Sequence, residues 1–506
     1  MAVPASTRVS DFVDSIGVNT HMGYLDTPYG DVDQILQEIQ YLGVGHVRDG
    51  VAWPAFRDAL AKLGDAGIGM TLMVGGQNTD TLSNQLDYVK SLGSAVDMIE
   101  GPNEVNFWPV SYDGKEGVEG ARATQQAIYE AVKADASLSH IPVASFTVAG
   151  SSEGEFAPYG DNSAYADYSN AHVYFPAGTP PRDHFEHYSE MAGSSLAPGK
   201  PMIVTETGFP SNAAGDGNQG VSELAQAKYT LDLLFDAYQQ GVERTFLYEL
   251  HASFDDADKN NQEAYYGLFR YDGTAKPVAT ALHNLTTILD DDASNNASFT
   301  TSGLDYSVSG LTDSGSHLLL QEANGNHDIV VWNEPAIWDD AKSADISVAS
   351  QKVTVSLGGT FGTVHVYDPL QSSSAIATYR DVSSVTLGIT DHPLIVETVD
   401  STKAEPQTSD GDGQTAMTLK MSGDYWQGAA QFTVSVDGQQ QGDIYTISAA
   451  RAEGDTQDFT FHGSWGDGEH SLEITYLNDS WGGTADTDRN LYLEGTVNLP
   501  ASRRRG

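Results

Sequence analysis

Between residues 16 and 250 short apolar runs recur eight times, and most are followed by a stretch whose apolar residues fall three and four apart. The runs are 16–21, 46–50, 70–75, 96–104, 142–148, 169–175, 202–208 and 244–250. A continuous apolar run bounded by turn residues suits a strand buried on both faces, and the three-four spacing suits a helix with one buried stripe. Such stripes are clear in Val32, Ile35, Leu36 and Ile39, in Phe56, Leu60 and Leu63, and in Leu224, Ala227, Leu231, Leu234 and Ala237. Pro54 fits the first turn of a helix, and Gly43, Gly67 and Gly93 fit helix ends. Eight strand-helix units in about 290 residues predict an α/β fold, a (β/α)8 TIM barrel. An open doubly wound sheet is the competitor. It would carry a glycine-rich turn after its first strand, and Asn19-Thr20-His21-Met22 is not one.

In such a barrel the working groups stand at the C-terminal ends of the strands. Those ends read His21, Arg48, Asn103 with Glu104, His172 with Tyr174, Glu206, and Tyr248 with Glu249 and His251. A lone glutamate after an apolar strand is ordinarily a helix start or a surface acid. Two of them, Glu104 and Glu206, on separate strand ends are the pair that glycosidic bond cleavage needs. Arg48 could keep one of these carboxylates ionised, or simply pair with Asp49. His21, His172 and His251 could be structural or could touch substrate. They lack the spacing of a zinc motif. Trp53, Phe107, Trp108 and Phe254 lie just past strand ends, where rings can pack or stack on sugars. Glu334, in a second Asn-Glu-Pro, lies beyond the eighth strand in an alternating β segment and is left out of catalysis.

These strand ends resemble clan A glycoside hydrolases, families 5 and 39 in particular, over about residues 15–290. Asn103-Glu104 is similar to the clan's acid/base motif, and Thr205-Glu206-Thr207-Gly208 to its nucleophile motif. Arg48 in Val-Arg-Asp-Gly and the pair His172 and Tyr174 match residues of the clan's second and sixth strands. The resemblance implies double displacement with retention, Glu206 attacking the anomeric carbon and Glu104 acting as acid and then base. It implies Asn103 on the sugar 2-hydroxyl, and Tyr174 or Tyr248 holding Glu206. Arg48, Asn103, His172, Tyr174, Tyr248, His21, Trp53 and Trp108 are thus the expected substrate-binding set, and no cofactor is expected in the catalysis.

From residue 294 the helical period gives way to short alternating segments, so a β-sandwich is expected over 294–400 behind a barrel over 1–293. Residues 401–414 have almost no apolar content and read as a linker. Residues 415–499 read as a third, all-β unit. Its stretch 478–493 sets Asp479, Asp486 and Asp488 among glycines, which suits an oxygen-ligand calcium loop, although the spacing is not that of an EF-hand. This unit resembles the calcium-dependent xylan-binding modules of carbohydrate-binding families 36 and 60. That resemblance implies Ca2+ at the loop and xylan, or a related plant-wall glycan, as the substrate held.

Charge narrows the partners. The 506 residues carry 25 Lys and Arg against 70 Asp and Glu, a net charge of −45 that opposes nucleic acid and anionic membrane alike. There is no cysteine, so disulfides and thiolate chemistry are excluded. No apolar run reaches membrane-spanning length. A secreted, monomeric enzyme on a β-linked polysaccharide is the expectation, with export inferred from the substrate because residues 1–6 lack a signal pattern. A hydrolase of bacterial exopolysaccharide, and a non-catalytic carbohydrate-binding or adhesion protein, are the alternatives.

Overall fold

The computed structural model describes residues 6–494 except 52–56, 77–79, 177, 214–219, 257–260, 292–298, 400–407, 411–414, 425, 427–428, 448, 450, 452–455, 464, 466–469, 482 and 485–487. Eight parallel strands form one sheet: β1 (Ile16–Asn19), β2 (His46–Gly50), β3 (Gly69–Met73), β4 (Val96–Glu100), β5 (Val143–Ala144), β6 (Ser169–Tyr174), β7 (Met202–Gly208) and β8 (Val242–Leu247). They pair in chain order, and β8 returns to β1 through Thr245 opposite Ile16. The ring is nearly closed. Between β5 and β6 a single bridge joins Ala144 to Tyr168, and the Ser145 N–H donates to the Tyr168 carbonyl at 3.0 Å.

The helices around this ring start and stop where their residues demand it. In α1 (Val32–Leu42) the Asp31 carboxylate accepts from the Gln34 N–H, and Gly43 ends the helix at φ 67°, in the left-handed region glycine tolerates. Thr81 caps α2 (Leu82–Leu92) and Ser222 caps α3 (Glu223–Gln239) in the same manner. Inside the barrel, Met98, Ala144, Ile203 and Phe246 fill the lumen as an apolar plug. Gly17 is obligatory there, because a Cβ would lie 2.5 Å from the Phe246 ring.

Residues 6–399 form one compact unit with the barrel. Beyond the barrel, β9 (Ser307–Ser309), β10 (Gly315–Gln321), β11 (His327–Asn333), β12 (Gln351–Tyr367), β13 (Ala375–Ile389) and β14 (Leu394–Val399) make a single antiparallel sheet. The β-sandwich expected here is built from this one sheet: β12 breaks register between Ser356 and Phe361, at a Gly-Gly pair. Its first half pairs with β9 and its second with β14, so one sheet bends over its own core of Val353, Val364, Val385, Ile329 and Val396. Strand β11 is buried along its whole length because it faces two cores. Ile329 and Val331 point into the bent sheet, while Val330 and Trp332 pack on the barrel, Trp332 against Phe235 of α3 at 5.6 Å. The N-terminal Thr7–Arg8 adds a parallel edge to β10, so the chain's first residues belong to the sheet of this region.

The second compact unit begins after Val399. Thr415–Gly423 lies between Gln457–Gly463 and Leu491–Leu493, and Gln431–Val436 lies between Gln439–Thr446 and Leu472–Tyr476. The core is Leu419, Met421, Phe432, Val434, Phe459 and Phe461. Thr408–Asp410, inside the expected linker, pairs in parallel with Gln457–Gly463. An exposed strand edge offers unpaired N–H and C=O groups, and even an apolar-poor segment can satisfy them.

Candidate active site

The C-terminal mouth of the barrel gathers most of the polar strand ends around one guanidinium. Arg48, the central residue of β2, is 5% exposed. Its Nε and one terminal nitrogen donate to the two oxygens of Glu100, the last residue of β4, at 2.7 and 2.8 Å. The other terminal nitrogen donates to Glu206 Oε1 at 2.5 Å, and a further bond reaches Asn103 Oδ1 at 2.6 Å. Asp49, the alternative partner, is turned away to accept from Thr20 and from the Met22 N–H. The second Glu206 oxygen accepts from the Tyr174 hydroxyl at 2.7 Å. Between the two tyrosines left open by the sequence, the geometry selects Tyr174; the Tyr248 hydroxyl instead donates to Glu263 at 3.5 Å. Burial alone would raise the Glu206 carboxyl. The charges of His172 and Arg48, with hydrogen bonds from Tyr174 and Arg48, outweigh it and hold the group below the usual glutamate range. Burial and the same carboxylate push the Tyr174 hydroxyl well up, so it remains a donor.

Glu104 follows β4 in a turn where its own φ is 39°, and its N–H donates to Thr147 Oγ1 at 2.9 Å. Its carboxylate lies 2.9 Å from His172 Nδ1, which is also 3.4 Å from Glu206. His172, a candidate for substrate contact or a structural role, sits between the two carboxylates. Burial pulls its pKa down, but the Glu206 charge and the Glu104 hydrogen bond and charge turn the net shift upward. One oxygen of Glu104, one of Glu206 and a ring nitrogen of His172 all lie within 4.8 Å of one another, the only such group of three among the described residues. A cation there would face the Arg48 guanidinium already bound to Glu206, so the arrangement favours proton chemistry over metal binding.

The remaining candidates form the rim. His21 lies 3.2 Å from the fully buried Glu249 and stacks on Tyr24 at 4.9 Å. Tyr248 meets His21, Tyr174 and Tyr266 edge to face, and the four rings make one wall beside Glu206. His251 is buried away from this wall, 3.5 Å from Glu38. Phe107 and Trp108, just after Glu104, are 66% and 57% exposed, and Phe254 is 45% exposed, as stacking surfaces must be. Trp53 lies outside the described residues. Glu334 pairs with Arg182 at 2.5 Å against α3, in a structural role. The sequence reading missed Glu100, Asn170, Thr205 and Tyr266. A signal for Glu100 was present, since an acid inside an apolar run needs a buried cation.

In the second unit, Asp486 lies outside the described residues, Asp479 is exposed, and Asp488 accepts from Asn490 at 2.8 Å. Asp424 accepts from Asn490 and Tyr492, and with Asp479 and Asp488 it acts on the Tyr476 hydroxyl. Asp424 and Asp488 thus meet at the Asn490 amide, and carboxylate oxygens are the donor type calcium takes.

Residues 416–499 match the family model CBM60, described as a Ca-dependent, xylan-binding carbohydrate-binding module. No curated protein matches the chain. Among solved structures, the family 39 glycoside hydrolase of Xanthomonas axonopodis pv. citri is 13% identical, with 78% of this chain and 95% of that one covered at a TM-score of 0.50. A monomeric β-xylosidase of Caulobacter crescentus is 14% identical over 79% of this chain and 98% of its own, at 0.48. A family 17 β-1,3-glucanosyltransferase of Rhizomucor miehei is 18% identical over 52% of this chain and 95% of its own, at 0.40. The chain therefore joins a (β/α)8 barrel like that of the Xanthomonas enzyme to a C-terminal region that matches the CBM60 family.

Proposed function

We propose that this protein is a retaining glycoside hydrolase acting on a β-linked polysaccharide, xylan or a related plant-wall glycan. One observation carries the reading: an oxygen of Glu104 lies within 4.8 Å of an oxygen of Glu206, which favours the closer of the two carboxyl spacings. Retaining enzymes set their two carboxyl groups about 5–5.5 Å apart, whereas inverting ones leave about 6.5–9.5 Å for a water. Glu206, ionised and held on both oxygens, attacks the anomeric carbon as Glu104 gives its proton to the leaving oxygen. Glu104 then takes a proton from the water that hydrolyses the glycosyl ester, and Glu206 is released. Asn103, its Oδ1 fixed by Arg48, is left to offer its amide N–H to the sugar 2-hydroxyl. His21, Tyr248 and Trp108 line or border the path of the glycan.

The barrel over 1–293 does the chemistry without a metal, and the module over 415–499 holds the polysaccharide through Ca2+ on Asp479, Asp486 and Asp488. The family description of residues 416–499 favours xylan. No helix among the described residues is long and apolar enough to cross a membrane. A secreted monomer meeting an insoluble wall fits this reading. The test is a panel of xylans, glucans, mannans and bacterial exopolysaccharides, with the first-formed anomer read by NMR. A β-product from xylan is the expected result; inverted product, or no turnover on any glycan, overturns the proposal.

A further inference from the structure

The geometry points to Glu100 as a positioning residue that sets both catalytic carboxylates at once, Glu206 through Arg48 and Glu104 through Asn170, Thr205 and His172. This rests on the hydrolase reading for its kinetic consequences and on geometry alone for the chain of bonds. Glu100 is fully buried and accepts two hydrogen bonds from Arg48 and one from Asn170 Nδ2 at 3.2 Å, with Thr205 Oγ1 3.1 Å away. Asn170 Nδ2 also donates to the Ser145 carbonyl at 3.2 Å, which fixes the amide and leaves Asn170 Oδ1 as an acceptor. Thr205 Oγ1 has two fixed acceptors for its single proton, Asn170 Oδ1 at 2.8 Å and Glu100 Oε1 at 3.1 Å.

The direction of the next bond follows from this count. The Thr205 hydroxyl spends its proton on Asn170 or Glu100, so its lone pair faces His172 Nε2 at 3.1 Å and accepts from an Nε2–H. With Nε2 protonated, neutral His172 presents a lone pair at Nδ1 to the Glu104 oxygen 2.9 Å away. That bond is satisfied only if it holds a proton, on the Glu104 carboxyl or on the imidazole. The site thereby keeps the acid's proton in place, while Arg48 on the other side of Glu100 keeps the nucleophile ionised. A buried network in which every donor has an acceptor is stiff, and it breaks as a unit.

The test combines imidazole 15N spectra with pH-rate profiles on a soluble aryl glycoside, for wild type, Thr205→Val, Thr205→Ser and Glu100→Gln. Wild type should show His172 as the Nε2–H tautomer. Thr205→Val should convert it to Nδ1–H and move the basic limb of kcat/KM to lower pH, leaving the acidic limb in place, and Thr205→Ser should restore both. Glu100→Gln should lower kcat/KM about 100-fold. It should also move the acidic limb to lower pH, because Arg48 then serves Glu206 alone, by on the order of one unit. A merely structural role would lower melting temperature and active fraction with both limbs unmoved. That result, or a wild-type Nδ1–H tautomer, overturns the inference. The tautomer is read without substrate, so an inactive wild type sinks the hydrolase reading and not this chain of bonds.

Discussion

Replacing Asp232 by Asn should make the protein more stable as the pH rises. Asp232 and Asp236 stand one turn apart on α3 and face Glu334 where the bent sheet meets the barrel. Arg182 is the cation beside all three: it reaches Asp236 at 3.2 Å and Glu334 at 2.5 Å. Trp332 adds a donor to Asp236 at 3.1 Å. Asp232 is 1% exposed, and neither of its oxygens has a hydrogen-bond partner. Burial, reinforced by the charges of Glu334, Asp236 and Asp391, raises its pKa well above the usual aspartate range. A carboxyl whose folded pKa exceeds its unfolded one contributes fully below the unfolded value, and the contribution drains away as pH rises toward the folded value. Each pH unit in that window costs the fold about 1.4 kcal/mol per proton, so two units cost about 2.7 kcal/mol. Asn keeps the shape and neutrality of the protonated acid and has nothing to titrate. Urea denaturation at pH 4, 5, 6, 7 and 8 should therefore give nearly equal stabilities at pH 4 and a gap that widens above it, by at most about 1.4 kcal/mol per unit, until the folded pKa is passed. Parallel curves, or a variant less stable at pH 7 than wild type, would refute a buried protonated Asp232.

The active site supplies the other tests. Glu206→Ala should abolish turnover, and external azide should restore a product of inverted configuration, detected by NMR. Glu104→Ala should spare substrates with good leaving groups far more than xylan; equal losses in kcat/KM on both would contradict the acid role. Tyr174→Phe removes one of the two holds on Glu206, a bond to a charged group worth about 1.5–3 kcal/mol. It should cost roughly 10- to 100-fold in kcat/KM and move the acidic limb of the pH profile upward, since the lost bond favours the ionised carboxylate. Chelation by EDTA should remove xylan binding, measured by pull-down, while hydrolysis of a soluble oligosaccharide continues. Binding that survives the chelator contradicts a calcium-held glycan.

The barrel was legible because two periods alternate along the chain and because side chains at strand ends break the apolar runs. Val143–Ala144 shows the limit of that signal. The run 142–148 reads as one strand, but only two residues pair, and Thr147 leaves the ladder to receive the Glu104 N–H. Arg48 could be named as a partner of the nucleophile, yet its choice of Glu100 and Glu206 over Asp49 depends on how β2, β4 and β7 converge when the sheet closes. Glu100 carried half a signal, since an acid in an apolar run needs a buried cation, but nothing local says which cation or that it serves the site. His172 was visible as polar and its bridging position was not. Beyond the barrel, alternation revealed strands without their partners: nothing local to Thr7–Arg8 announces pairing with residues more than 300 positions away. Nor does Gly358-Gly359 announce that one strand will serve both halves of a bent sheet.

The two kinds of perturbed carboxyl pull the working range from opposite sides. Glu206 is held below the usual glutamate range and stays ionised from mildly acidic pH upward. Elsewhere burial does the reverse. It lifts Glu38 to about 7 and, with the Glu397 charge, Glu322 to about 8, and it raises Asp328, Asp232 and Asp236 well above the ordinary aspartate range. Each of these raised groups binds a proton more tightly folded than unfolded, so each withdraws stability as pH climbs from about 4 through its folded pKa. Repulsion among 70 acidic residues against 25 basic ones grows over the same interval. On the proposed mechanism Glu206 sets the lower edge of activity, and the buried acids set the upper edge of stability. Mildly acidic pH is the interval in which an ionised Glu206 and a neutral Asp232 coexist, and there, on the proposed mechanism, activity and melting temperature should peak together.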